Sequence, residues 1–289
     1  MMVSVLGFGG AEIGYNSHQT QADVDLLLNS ALDAGLNVID TAAAYLKSEE
    51  MIGKAVSSRR REFYLFSKCG ALDAGTRFDW SKKGVLETIE QSLRKLKTDY
   101  LDVVQLHSPS AEILRQADCI EGLIRAQERG YTRYVGYSGD NEDALYAINM
   151  DYFDALQISV NIVDQSQIEG NISLAAEKGL GIIAKRPIAN AVWRYEEKPE
   201  SVYYHEYWER LRKLKFEFTK KSVEEATAAA LRFTMTVPGV STMIVGTTRP
   251  HRWRENAKYV AEGNLSAEEF EAIRNRWRET AGEDWIGMT

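Results

Sequence analysis

Residues 7–14 read GFGGAEIG, and their glycine spacing decides between two folds. A short apolar run, 4–8, leads into them, so the stretch sits where a first strand turns towards a first helix. In an open doubly wound sheet that turn carries GxGxxG, whose third glycine lets helix and strand approach closely beside a bound pyrophosphate. Gly7 and Gly9 fit the spacing, but position 12 is a glutamate. An acid there crowds the contact and repels phosphate, which disfavours the doubly wound fold.

Beyond this turn, apolar runs alternate with amphipathic stretches along the whole chain. Runs at 4–8, 37–40, 63–68, 101–107, 131–137, 155–159, 181–185 and 241–245 read as strands. Between them, 21–35, 82–97, 111–129 and 222–234 carry apolar residues at helical spacing; in 82–97 these are Val85, Ile89, Leu93 and Leu96, behind Ser81 as an N-cap. Eight strand–helix repeats predict a (β/α)8 barrel, a fold of about 250 residues. The chain of 289 residues then reads as one domain, with 187–221 as an insertion after the seventh strand and 260–289 as a C-terminal helix and tail. The insertion holds Trp193, Tyr195, Tyr203, Tyr204, Tyr207 and Trp208. It reads either as a surface helix packed on the barrel rim or as a lid over a bound cofactor.

A formal charge of −7 offers no surface for a polyanion, so nucleic acid is not an expected partner. Apolar runs fall well short of the roughly 20 residues of a membrane span. The start, MMVSVLGFGG, lacks the features of a signal peptide, and Cys69 and Cys119 form neither a metal spacing nor a disulfide framework. A cytoplasmic protein acting on a small molecule is expected.

In a barrel, the C-terminal strand ends converge on one face, where active sites lie. Asp40 ends the second strand, Lys68 the third and His107 the fourth, and Tyr45 follows Asp40 by five residues in NVIDTAAAYLKSE, 37–49. Each has an ordinary structural explanation alone: a cap, a solvated lysine, a packed phenol, a bonded histidine. Together they form a coherent proton-transfer site. A free tyrosine titrates near 10, and a neighbouring ammonium is expected to lower that value. Asp40 holds Lys68 charged, Tyr45 gives up a proton, and His107 orients a carbonyl oxygen while a hydride arrives at carbon. No nucleophile paired with a base argues for acyl transfer, and a hydride source must be bound.

The chain resembles the aldo-keto reductase family. GLNVIDTAAAYLKSEEMIGKAV is similar to that family's second-strand signature, FSK at 66–68 to its lysine strand and LDVVQLHSP at 101–109 to its histidine strand. YVGYSG at 134–139 and DALQISVN at 154–161 resemble nicotinamide-binding strands, and VGTTRPHRWREN at 245–256 the adenosine-phosphate segment. The resemblance implies a barrel that reduces an aldehyde or ketone with NADPH, or with NADH, and no metal. It implies catalytic Asp40, Tyr45, Lys68 and His107, with Tyr45 as proton donor. Ser138 and Gln157 are implied for the carboxamide, and Gly246, Thr248, Arg252, Glu255 and Asn256 for the adenosine phosphates and adenine. Gly10, Asp40, Lys185 and Arg186 complete the implied cofactor contacts.

Three departures stand out. Strand 7 reads IIAKRPIAN, with Lys185 and Arg186 where many members stack an aromatic residue on the nicotinamide; a guanidinium plane can take that place. Ser108 follows the histidine, where an aromatic residue is common. Gly246 stands where a lysine is common, leaving Arg252, with Thr248 and Arg249, to meet a 2′-phosphate; a solvated basic face is the plainer reading of those arginines. Two other functions fit the same residues: a cofactor-binding regulatory or redox-sensing barrel with little turnover, and a hydrolase using Asp40 and His107 on a metal.

Overall fold

The computed structural model describes residues 1–288. Eight strands form a closed barrel: β1 Leu6–Gly9, β2 Val38–Asp40, β3 Tyr64–Cys69, β4 Leu101–His107, β5 Thr132–Ser138, β6 Ala155–Ser159, β7 Gly181–Lys185 and β8 Val240–Gly246. Each strand pairs in parallel with its sequence neighbours, and β1 closes the ring on β8, with Leu6 opposite Met243 and Gly9 opposite Gly246. This is the (β/α)8 barrel that the strand–helix rhythm predicts. Strand bounds agree with the sequence reading to within two residues. Runs rich in Val, Ile and Leu that are buried on both faces have nowhere else to go.

The helices obey local chemistry. Ser81 accepts from Gly84 N at 3.0 Å and starts Lys82–Leu96, which buries Val85, Ile89, Leu93 and Leu96 against the strands. Thr20 and Asp23 form a capping box at the start of Gln21–Leu32. The expected single helix over 111–129 is instead two, Ala111–Arg115 and Asp118–Glu128. Ala117 breaks it with a left-handed φ of 65°, a conformation no apolar periodicity reveals. The last helix is Ala267–Thr280, and 281–288 runs on as an irregular tail. Thr289, the end of the expected tail, lies outside the described residues.

The barrel interior is layered. Val38, Phe66, Val103, Ala155 and Ile183 form an apolar cluster of their own, separate from the main core between strands and helices. Two residues further along β2, β3, β4 and β6 stand Asp40, Lys68, Gln105 and Gln157, all buried. Strand side chains alternate with period two, so these polar groups point the same way as the cluster beneath them. An apolar plug therefore floors a polar layer at the C-terminal end.

The insertion has its own structure. Its helix, His205–Leu214, buries Tyr207, Leu211 and Leu214, as expected of a rim-packed helix. Tyr203 just before it stays 57% exposed, beside the strand ends rather than in the core.

Candidate active site

Asp40 lies at the centre of the polar layer. Lys68 Nζ stands 2.5 Å from its Oδ2 and also donates to the Thr41 carbonyl at 2.9 Å. Gln157 Nε2 and Gln105 Nε2 both donate to Asp40 Oδ1, at 2.9 and 3.2 Å. Ser138 Oγ donates to Gln157 Oε1 at 3.3 Å. The two side chains implied for a carboxamide are thus wired to the acid at the heart of the site.

The phenol and imidazole stand above this layer. The Lys68 ammonium is 5.2 Å from the Tyr45 ring centroid, and the Tyr45 and His107 rings meet edge-on at 5.6 Å. Sequence separation does not hinder the convergence, because the parallel register sets Lys68 beside Gln105 and His107 beside Ser138. All four expected residues are therefore brought together. Leu46, Ser108 and Arg186, which follow Tyr45, His107 and Lys185, all have positive φ, at 45°, 63° and 56°. Non-glycine residues in that region carry strain, and it falls beside the site residues.

The electrostatics correct one expectation. Burial raises the Tyr45 pKa above its ordinary value; Lys68 pulls it down, but does not win. Tyr45 therefore holds its proton at neutral pH. Burial alone disfavours the charged form of Lys68, but Asp40, and then Tyr45, outweigh it and raise its pKa. Burial, then Lys68 and Lys185, hold His107 well below the usual imidazole range. His107 is a neutral imidazole, which keeps one N–H to donate, and its buried Nδ1 has no partner among the described residues.

A second charged cluster adjoins the first across β5, β6 and β7. Lys185 Nζ is 2.8 Å from Asp140 Oδ2, and Asp140 Oδ1 accepts from Ser159 N at 2.8 Å. Arg186 donates to Ser159 Oγ at 3.1 Å and to the Tyr203 hydroxyl at 3.3 Å. Asp164 accepts from the Tyr207 hydroxyl at 2.7 Å and faces Arg210 at 3.8 Å. Sequence reading singles out Lys185 and Arg186 here but misses Asp140, Ser159 and Asp164. Period-two spacing behind Gln157 is the signal that finds Ser159; nothing local marks Asp164.

The β8 end is a separate patch. Gly246 approaches helix Ala11–Tyr15 so closely that a Cβ there would stand 2.9 Å from Glu12 Cγ. The following helix begins at Arg252, and Pro250 lies in the turn before it. Arg252 is paired with Glu255 at 3.0 Å, Asn256 is buried with its Oδ1 unpartnered among the described residues, and Thr248 is partly buried in the loop. Gly10 does not join either group. Its N–H donates to Asp40 O at 2.7 Å, and a Cβ there would meet Ser48 Oγ at 2.8 Å, which makes it a packing glycine. A mainly apolar groove between helices Val223–Thr236, Arg252–Ala261 and Ala267–Thr280 contains none of the four central residues.

Residues 5–278 match the family model described as "Aldo/keto reductase family". Among curated proteins, the chain is 26% identical to an uncharacterized oxidoreductase, YqkF, of Bacillus subtilis, over 96% of this chain and 94% of that one. It is also 26% identical to the L-galactose dehydrogenase of Arabidopsis thaliana, over 91% and 86%. Among solved structures, the holo form of an aldo-keto reductase from Bacillus halodurans superposes with a TM-score of 0.81 at 24% identity, covering 98% and 95%. An aldo-keto reductase of Klebsiella pneumoniae in complex with NADPH gives 0.74 at 21%, covering 99% and 95%. At those identities the structural likeness speaks for the fold.

Proposed function

The chain belongs to the aldo/keto reductase family, and from that premise we propose that it is an NADPH-dependent carbonyl reductase with Tyr45 as its proton donor. Membership makes it an oxidoreductase of the general kind that uses NAD(P)H; the residue roles and the cofactor preference are our reading. One observation carries it: Lys68, fully buried, lies between the Asp40 carboxylate and the Tyr45 ring, with His107 edge-on to that ring.

Each side chain then has a distinct task. His107, neutral, donates to the carbonyl oxygen and fixes its direction. Tyr45 keeps its proton until that oxygen becomes basic, and Lys68 stabilises the phenolate left behind. Asp40 keeps Lys68 charged, while Gln105 and Gln157 keep Asp40 from rotating away. The nicotinamide, when bound, supplies the hydride. The residues present fit such a cofactor: among the described residues Asn256 carries a buried Oδ1 without a partner, on the same helix as Arg252. Ser138, Gln157, Lys185 and Arg186 line the quadrant for its reactive end, and Arg252, Thr248 and Glu255 the patch for its adenosine phosphate.

Run in reverse, the same groups oxidise an alcohol, with Tyr45 accepting the proton. The Arabidopsis relative's name makes aldoses worth including among test substrates. The test follows NADPH absorbance with a panel of aldehydes, ketones and aldoses. Tyr45→Phe should lower turnover by roughly 100- to 10,000-fold, with NADPH affinity nearly unchanged. Wild-type turnover in that variant overturns the assignment. NADPH binding without turnover of any carbonyl favours a regulatory barrel instead.

A further inference from the structure

After helix Ala267–Thr280 the chain runs back across the ends of β5, β6 and β7, and its contacts there are specific. Trp285 packs on Trp277 with ring centroids 5.0 Å apart and carries Arg210 over its face at 5.4 Å. Arg210 Nη2 also donates to the Ile286 carbonyl at 2.9 Å. Gly287 N donates to Asn141 Oδ1 at 2.8 Å, and Asn141 Nδ2 returns a bond to the Gly287 carbonyl at 2.9 Å. Met288 N donates to Asp164 Oδ2 at 3.2 Å. The Met288 carbonyl accepts from Ser159 Oγ at 2.6 Å and from Arg186 Nη1.

These partners belong to the quadrant that carries Ser138, Gln157 and Lys185. Ser159 is two residues beyond Gln157 on β6, so it shares that strand's inward side one step nearer the mouth. Asp140 joins Ser159 to Lys185. Arg186 gives the arrangement its direction. Among the described residues it donates to three neutral oxygens, from Tyr203, Ser159 and Met288, while Asp140 acts on it electrostatically from nearby. A guanidinium held by a main-chain carbonyl can exchange that carbonyl for an oxygen of a ligand at little electrostatic cost.

We propose that Trp285–Met288 is a strap that competes with NADP(H) for Ser159 and Arg186, so that cofactor binding requires its release. The proposal rests on the preceding reading that this quadrant receives the reactive end of the cofactor. The strap lowers apparent affinity by the fraction of molecules in which it is undocked. Gly287 is its tightest point, since a Cβ there would stand 3.0 Å from Asp140 Cβ and 3.2 Å from Asn141 Oδ1.

Hydrogen exchange on the full-length wild-type protein, with and without saturating NADPH, tests this directly. The Gly287 and Met288 amides, bonded to Asn141 and Asp164, should lose protection at least tenfold when NADPH is bound. In parallel, Gly287→Val should dislodge the strap and lower the NADPH Kd several-fold with a faster on-rate. If NADPH binds and those amides stay protected or gain protection, or if Gly287→Val weakens binding, the strap does not compete and the proposal falls alone. If the wild-type protein binds no NADPH in the accompanying fluorescence titration, the cofactor reading falls and takes the proposal with it.

Discussion

Lys68 illustrates how one residue can serve both chemistry and folding. Its ammonium is fully buried, satisfied by Asp40 and the Thr41 carbonyl, and it faces the Tyr45 ring. Removing it leaves the Asp40 carboxylate with only two glutamine amides inside the barrel. Breaking a buried pair costs on the order of 3–5 kcal/mol. Lys68→Met is therefore expected to lower both the chemical midpoint of unfolding and turnover, and to push the Tyr45 titration further up, because burial and Asp40 are then opposed only by the weaker pull of Arg186. A phenolate absorbance titration and urea unfolding check the two arms; full activity at neutral pH would mean that Tyr45 does not depend on its neighbour. Arg252 is a second residue-scale case. A charge-assisted contact to a 2′-phosphate contributes on the order of 1.5–3 kcal/mol, but here it must displace the existing pair with Glu255. Arg252→Ala should weaken NADPH at least tenfold and NADH little, as measured by fluorescence titration. Equal weakening of both places the discrimination elsewhere, with Arg249 the next residue to test.

At the scale of elements, the tail and the insertion meet on one carboxylate. Asp164 takes the Tyr207 hydroxyl from the insertion and Met288 N from the tail, while its Oδ1 has only Arg210 at 3.8 Å. Burial, and then Asp140, push its pKa up to about 7; Tyr207, Arg210 and Met288 N pull the other way and lose. In an unfolded chain the same carboxyl ionises near 4. Between those two values the native state holds more protons, so this group makes stability fall as pH rises from about 4 to about 7. The expected loss is on the order of a few kcal/mol across the window. Asp164→Asn should flatten that slope in urea unfolding measured at a series of pH values; an unchanged slope refutes the assignment. Elements such as these are where sequence reading stops short. The Ser159–Met288 bond links residues 129 positions apart, and the Asp164–Tyr207 bond 43, and no local periodicity encodes such pairings. The aromatic run at 193–208 signals that the insertion is not a bare loop, but not which ring meets which acid.

Taken whole, the barrel was legible because its signals repeat. Eight apolar runs, each long enough for one strand and alternating with amphipathic stretches, leave few alternatives once GFGGAEIG fails the dinucleotide pattern. The four central residues were legible for a related reason: a parallel barrel brings its strand ends together, so Asp40, Lys68 and His107 need only the strand bounds to be placed. The direction of the Tyr45 shift was not legible, because it depends on how deeply burial outweighs an ammonium. The break at Ala117 was hidden likewise, a backbone choice that leaves no mark on the apolar pattern.

The ring closes at one seam, where Met243 N donates to Val5 O at 2.8 Å and Thr242 Oγ1 to Ser4 O at 2.8 Å across 238 residues. During synthesis, a ribosome that has released only the first seven strands presents an open sheet whose two outer edges each await the same missing partner. Such edges invite pairing with other chains. Truncation upstream of Val240 is therefore expected to leave a chain prone to pairing with its own copies. Only the arrival of the eighth strand ends that tendency.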